Sequence, residues 1–586
     1  MRPADHLVRS QGAGASYAIT RLSYACCLMG RGSRLGTIGA CLLAGALALV
    51  ACGRSSKHGN SSTATTGGEG TSAGANAGGQ GGAPTTVSCE PDAQLSPSRV
   101  LLLSDRQFRN AVRDLFGVDV LLTAAAPDAE GSTWPGALEE ASVHTVELAK
   151  QYHLAAGQVA GQLEPCGKAA VDAECMRQFL SDTLERAWRR PVEPEELASI
   201  MSLFDAGLKV SPKAAVSVAV RAVLESGSFL YRTELGAAAR ADAGAVTLTP
   251  YELAAAIGFT FLDSVPDDEL WAKAVDGSLT DPDVLAAEAD RLLALPAVRD
   301  NLRKKVSSYL GLEELRRAHT KDVLVFPDYS EEVQSGLYEG SQLFLDELLW
   351  HGNFSELFTT RRLYANEAVA AFYGIPNVRG AAYAALDFDG DERRAGLLSQ
   401  PAFLAATNLR RNSEDISHRG AFVLNAFLCP PTLPPAHATS DTVLGPGSVQ
   451  QEWRNLNENV TCSSCHGLFD PFGFAMEKYD AVGRYRTVDE TGVPIDASAT
   501  IRDVGPDFDG AVADINEVAA KLSQGRRAAD CAAIRLTSYA LDHLLSPEHL
   551  PCALTPLQNE LATSGSFSEL FKALVTSPAF LTREAP

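Results

Sequence analysis

Ser104-Asp105-Arg106-Gln107-Phe108-Arg109-Asn110-Ala111-Val112-Arg113-Asp114-Leu115-Phe116-Gly117 reads as one complete helix, with its start, its buried face and its stop all written in side chains. Ser104 is a capping residue, Phe108, Val112, Leu115 and Phe116 recur at helical spacing, and Gly117 can take the left-handed stop. The same period returns along the chain. Residues 179–188 form an amphipathic stretch closed by Arg189-Arg190-Pro191, and Leu197, Ile200, Met201 and Phe204 mark the next one. Residues 214–231, 251–262, 284–295, 302–310 and 337–350 continue it. Alternating strand patterns are few, the best being Val246-Thr247-Leu248-Thr249. The fold class is therefore mainly α, a multi-domain helical body with few short strands.

At 586 residues the chain exceeds a single core and suggests several domains. The reading divides it into a signal region at 1–52, a tether at 53–95, helical domains at 96–240 and 241–380, a cysteine-bearing segment at 381–486 and a C-terminal helical domain at 487–586. Apolar residues make up 46% and charged residues 21%, an ordinary globular balance. The formal net charge is −22, and removal of residues 1–51, which carry five Arg and one Asp, makes it −26. Such a surface repels nucleic acid and anionic headgroups, so nucleic-acid and peripheral membrane binding are excluded by charge. It suits a basic redox partner protein, although solubility explains it equally well.

From Met29 the chain resembles a secretory signal, with Arg31 and Arg34 before an apolar run at 35–51. The run ends in Leu49-Val50-Ala51-Cys52, similar to a bacterial lipobox in which Cys52 is acylated and becomes the first mature residue. An uncleaved membrane helix is the alternative. Met29 is expected to be the true start. Residues 53–88 are almost wholly Gly, Ser, Thr, Ala and Asn, which bury too little apolar surface to fold. They read as a tether that holds the body about 30–35 Å from a bilayer. Neither Gly53 nor Arg54 is the Asp that often marks inner-membrane retention. The expected location is the cell envelope, lipid-anchored in the outer membrane and facing periplasm or cell surface, with the anchor the only membrane contact.

Eight cysteines follow the anchor, and in an oxidising compartment they should be disulfides or ligands. Cys166 with Cys175, Cys531 with Cys552 and Cys89 with Cys429 are the expected pairs. Cys462-Ser463-Ser464-Cys465-His466 is the attachment pattern of a c-type haem. Two thiols add across the two vinyl groups on one porphyrin edge, and the next imidazole swings under the ring to bind iron. His466 would then be the proximal ligand, its other ring nitrogen donating to a backbone carbonyl. A Cys462–Cys465 disulfide, a zinc half-site and a thioredoxin-like pair are the alternatives, the last two lacking a second ligand pair or a βαβ context.

Met476, ten residues past His466, is the candidate sixth iron ligand if Pro471 and Gly473 keep the path extended. His418, His437, His543 and His549 are alternatives, and an open site would permit peroxidase-like chemistry. Arg484 and Arg486 are candidate partners of the haem propionates, because guanidinium forks match carboxylates. Trp453, in the amphipathic approach at 449–459, packs in the core or on the ring. Asp387-Phe388-Asp389-Gly390-Asp391 mimics a calcium loop without the acidic twelfth position and reads as a turn. No phosphate loop, Ser-His-Asp order or paired-carboxylate signal supports a hydrolase, and whether the chain is an enzyme stays open.

Asp470-Pro471-Phe472-Gly473-Phe474-Ala475-Met476-Glu477-Lys478-Tyr479-Asp480-Ala481-Val482-Gly483-Arg484-Tyr485-Arg486 resembles the segment after Cys-x-x-Cys-His in the planctomycete-type cytochrome-c-like proteins, large exported chains built from domains of unknown function. Arg186-Ala187-Trp188-Arg189-Arg190-Pro191, Tyr251-Glu252-Leu253-Ala254, Val265-Pro266-Asp267-Asp268-Glu269-Leu270 and Arg394-Ala395-Gly396-Leu397-Leu398-Ser399-Gln400 agree with it, from about residue 99 to 583. The resemblance implies a cytochrome-c-like segment. Many such chains carry an additional N-terminal cytochrome domain where this one has its tether. One haem c and an external electron partner are therefore expected here. A weaker internal echo links Ser226-Gly227-Ser228-Phe229-Leu230-Tyr231-Arg232 with Ser577-Pro578-Ala579-Phe580-Leu581-Thr582-Arg583, and in part with Ser399-Gln400-Pro401-Ala402-Phe403-Leu404. It reads as a recurring turn with a Phe plug.

Overall fold

Ser104 accepts from the Gln107 backbone N–H while the Gln107 side chain accepts from the Ser104 N–H, and this reciprocal cap starts the Asp105–Phe116 helix. Gly117 ends it in the left-handed region at φ 67°. Ser211, Thr249, Ser330 and Ser566 cap later helices, each accepting from an N–H three residues on, and at Thr249 the cap is again reciprocal. The stretch at 214–231 divides, because Ser226 restarts a short Gly227–Leu230 turn after the Pro212–Leu224 helix. That at 251–262 begins as the Pro250–Ile257 helix and loosens into a π turn over Gly258–Leu262.

The computed structural model describes residues 96–122, 146–167, 171–236, 244–317, 321–388, 390–391, 393–408, 415–430, 449–458, 460–542, 545 and 551–585. The segments expected to be signal region and tether, with Cys52, Cys89, His437, His543 and His549, lie outside the described residues. The described body is mainly helical. Among the described residues the strands form two-stranded antiparallel ribbons. Arg99–Leu102 pairs with Tyr231–Glu234, Ala245–Thr247 with Thr582–Glu584, Arg362–Ala365 with Ala384–Asp387, and Ala499–Ile501 with Gly510–Val512.

Among the described residues two large apolar cores, and a small cluster of Ile416, Trp453 and Phe474, fill one compact unit. The first runs from Leu102 to Leu230, with Phe259 and Val265 added, and corresponds to the first helical domain. The second runs from Leu248 to Phe580, so the segments divided at 380 and 486 share a single interior. The internal echo is a structural device. Ser226 and Ser577 each start a one-turn helix, Phe229 and Phe580 are fully buried, and an Arg then enters a strand. Phe403 is the matching buried plug of the partial copy.

The buried Glu234 carboxylate joins these strands, accepting from Arg99 Nε at 2.6 Å and Arg583 Nε at 2.9 Å. Burial alone would raise this carboxyl, but Arg99, Arg583 and Arg232 hold it well below the ordinary carboxylate range. It thus fixes the N-terminal strand and the C-terminal strand to one point.

Cys166 is bonded to Cys175. The other expected pairs are replaced: Cys429 is bonded to Cys531, with Cα atoms 5.5 Å apart, and Cys552 is disulfide-bonded without Cys531. The reason is tertiary. Cys429 follows the Ile416–Phe427 helix, which packs on the Arg526–Leu541 helix that carries Cys531.

Glu234→Gln is expected to lower unfolding free energy by about 3–5 kcal/mol, because it leaves buried guanidinium groups uncompensated. The folded carboxyl titrates below its ordinary value of 4.5, so its stabilisation is full above that pH and drains away as pH falls below it. Urea unfolding of the wild type should therefore weaken from pH 6 to pH 3, and the variant should show a flatter profile.

Candidate functional site

Cys462, Cys465 and His466 occupy the first two turns of the Val460–Ala475 helix. On a helix, positions three and four apart share a face. The backbone therefore sets both cysteines and the imidazole on one side. The Cys462 side chain falls outside what is described. Cys465 is exposed and has no disulfide partner, so the alternative of a Cys462–Cys465 disulfide does not hold.

His466 is buried on its Nδ1 side. Its Nδ1 lies 3.1 Å from Asp470 Oδ2, one turn further along the same helix, and 3.3 Å from Ser417 Oγ. Asp470 is fully buried and accepts twice more, from Ser417 Oγ at 2.5 Å and Asn457 Nδ2 at 2.6 Å. A carboxylate only accepts, so Nδ1 carries a proton, and in the neutral imidazole Nε2 keeps its lone pair. Among the described residues Nε2 has no hydrogen-bond partner. Trp453 and Phe469 close the ring's sides, with centroids 5.6 and 5.0 Å from the imidazole. Trp453 is fully buried, so it serves both core and imidazole. The expected backbone-carbonyl acceptor is thus a side-chain carboxylate.

Three helices meet here. Trp453 and Asn457 come from Val449–Glu458, Ser417 from Ile416–Phe427, and the motif from Val460–Ala475. Ile416–Phe427 and Val460–Ala475 cross almost backbone to backbone. A Cβ on Gly420 would lie 2.0 Å from the Phe469 carbonyl oxygen, and one on Gly473 would lie 1.9 Å from that of Ile416. Only glycine fits either position.

Other expected ligands go elsewhere. The helix continues through Pro471 to Ala475, which puts Met476 about 15 Å along the axis from His466. Met476 is fully buried in the apolar core, so it is not the sixth ligand. Arg484 lies over the Phe372 ring, 3.9 Å from its centroid. Arg486 is held by the buried Glu477 at 2.8 Å and by Glu490 at 3.6 Å. A turn with Gly483 at φ 79° reverses the chain between them and the motif, and carries both guanidinium groups to these partners rather than to propionates. His418 is buried at the start of the Ile416–Phe427 helix, where desolvation disfavours its charged form. Asp391 of the calcium-like loop pairs with Arg393.

This donor set fits a covalently attached haem: an unpaired exposed thiol, its sequence partner one turn back, and a preoriented imidazole with a free Nε2. Among the described residues no three His, Cys, Asp or Glu side chains converge as a cage for a bare ion. Asp470 was legible four residues past His466 on a helical stretch, whereas Ser417 and Asn457 leave no local signal.

A helical body with Cys-x-x-Cys-His on the opening turns of a helix defines a cytochrome-c-like protein. Three family models match the chain, each described as a protein of unknown function: PSD5 (DUF1595) at residues 175–234, PSD4 (DUF1592) at 248–375 and PSCyt3 (DUF1588) at 394–489. All three are models of the planctomycete cytochrome-c-like multi-domain family, to which these segments of the chain are similar. The PSCyt3 match contains the motif together with Ser417, Trp453, Asn457 and Asp470. No curated protein and no solved structure matches the chain.

Gly420→Ala and Gly473→Ala should each destabilise the chain, at or beyond the upper end of about 1–3 kcal/mol, because the added methyl meets backbone that cannot yield. Gly467→Ala, which meets no atom within 4 Å, is the control and should stabilise by about 0.5–1 kcal/mol. Denaturant midpoints of the three variants check the contrast.

Proposed function

We propose that the chain is a cell-envelope lipoprotein that carries one covalent haem c on Cys462, Cys465 and His466 and serves in electron transfer. The observation that carries this reading is the His466 imidazole, fixed through Nδ1 by Asp470 with Nε2 left over, beside the unpaired Cys465. Bound haem supplies a one-electron couple at its iron. The chain's part is to fasten the porphyrin edge through two thioethers, to orient the imidazole with Asp470 and Ser417, and to keep water from its flanks with Trp453 and Phe469. Its acidic surface suits a basic redox partner. The lipobox at Cys52 and the tether after it support anchoring in the outer membrane.

A haem enzyme of peroxidase or oxygenase type is the second reading, favoured by the distance of Met476 from His466. Carbon monoxide binding to the reduced protein separates the two, because a strong sixth ligand blocks it.

Full-length chain matured with cytochrome c assembly factors should give a pyridine haemochrome spectrum equal to one haem per chain, retained on denaturation. Cys462→Ala/Cys465→Ala should lose covalent haem entirely. Retention in that variant, or no haem in the wild type, overturns the assignment. Acylation of the envelope fraction should disappear in Cys52→Ser, and an unchanged acylated mass would refute the anchor.

A further inference from the structure

The Nδ1 partner of His466 is a complete carboxylate, fully buried, on the same helix. Among the described residues its hydrogen-bond partners are Ser417, Asn457 and His466, and no Lys or Arg is bonded to it. Its negative charge is therefore shared among neutral donors and directed at the imidazole. A carboxylate accepting from the outer nitrogen of a ligating histidine raises the basicity of the inner one. In a low-dielectric interior the charge also acts over the short path to a metal.

We infer that Asp470 is a positioning residue that drives the reduction potential of iron held at His466 downward, with Ser417 and Asn457 moderating its charge. The inference rests on the haem reading above. The couple is Fe(III) plus one electron to Fe(II), with the electron supplied by a reductant and no proton moved. The oxidised iron carries the additional positive charge, so a nearby carboxylate favours it. Ser417 and Asn457 donate into the same two oxygens and withdraw part of that charge. Removal of Asp470's charge and removal of a donor to Asp470 should thus act with opposite sign. A merely structural role has no reason to produce that reversal. The site would accept electrons only from strongly reducing partners and pass them readily onward.

The test is spectroelectrochemical titration of the full haem-loaded chain, comparing wild type, Asp470→Asn and Ser417→Ala. Asp470→Asn should raise the midpoint by at least a tenfold change in the Fe(III)/Fe(II) equilibrium, which is 59 mV for one electron. Ser417→Ala should lower it. An unmoved midpoint in Asp470→Asn, or a rise in Ser417→Ala, overturns the inference. If Asp470→Asn does not retain haem, Ser417→Ala decides alone: a fall supports it and any other result refutes it. A wild type without haem overturns the function reading and this inference with it. A loaded wild type whose potential ignores both residues overturns the inference only.

Discussion

Gly420 and Gly473 let two helices touch through their backbones, and the chemistry of the site follows from that approach. Each glycine faces a carbonyl oxygen of the opposite helix at a distance that no Cβ could share. The close crossing brings Ser417 Oγ within 2.5 Å of Asp470 Oδ1, a contact that a wider spacing would hand to water. A buried carboxylate without such donors carries a desolvation cost of several kcal/mol. With Ser417, Asn457 and His466 in place the acceptor is satisfied inside the protein. The helix crossing is therefore the condition for an Asp470 that can hold an imidazole.

The surrounding body keeps that crossing in register. Arg419, two residues beyond Ser417 and fully buried, donates to the carbonyls of Leu404, Tyr479 and Asp480. It ties the Ile416–Phe427 helix to the turn that follows the motif helix. Cys429, at the far end of the same helix, is bonded to Cys531 in the C-terminal helices. Glu234 performs the corresponding task at distance, where strands near both ends of the described chain converge on one carboxylate. Each tie joins segments far apart in sequence. That is why one core, rather than three, spans residues 248–580.

What could be read from the chain alone was whatever is encoded locally. The Ser104-to-Gly117 helix carries its cap, face and stop within fourteen residues, and it forms as written. Cys-x-x-Cys-His is likewise local, and so is Asp470, four residues on from His466. Ser417 lies 49 positions from His466, and no periodicity connects them. The disulfide of Cys429 was misassigned for the same reason, since helix packing and not spacing selects its partner. Arg484 and Arg486 sit near the motif in sequence, but the left-handed Gly483 turns them toward Phe372 and Glu477. Proximity along the chain was mistaken for proximity in space.

The path from His466 to Met476 admits two states, and their consequences exclude one another. If the chain were extended there, Met476 could travel up to about 34 Å and pass round a porphyrin edge. Asp470 would then leave the helical register that sets it under Nδ1. In the structure the helix persists through Pro471, although proline lacks the N–H that would bond the Gly467 carbonyl. That continuity keeps Asp470 on the face of His466 and carries Met476 away from the imidazole by the same backbone geometry. The Asp470 contact to His466 and the burial of Met476 in the apolar core are one choice, made where the helix declines to break.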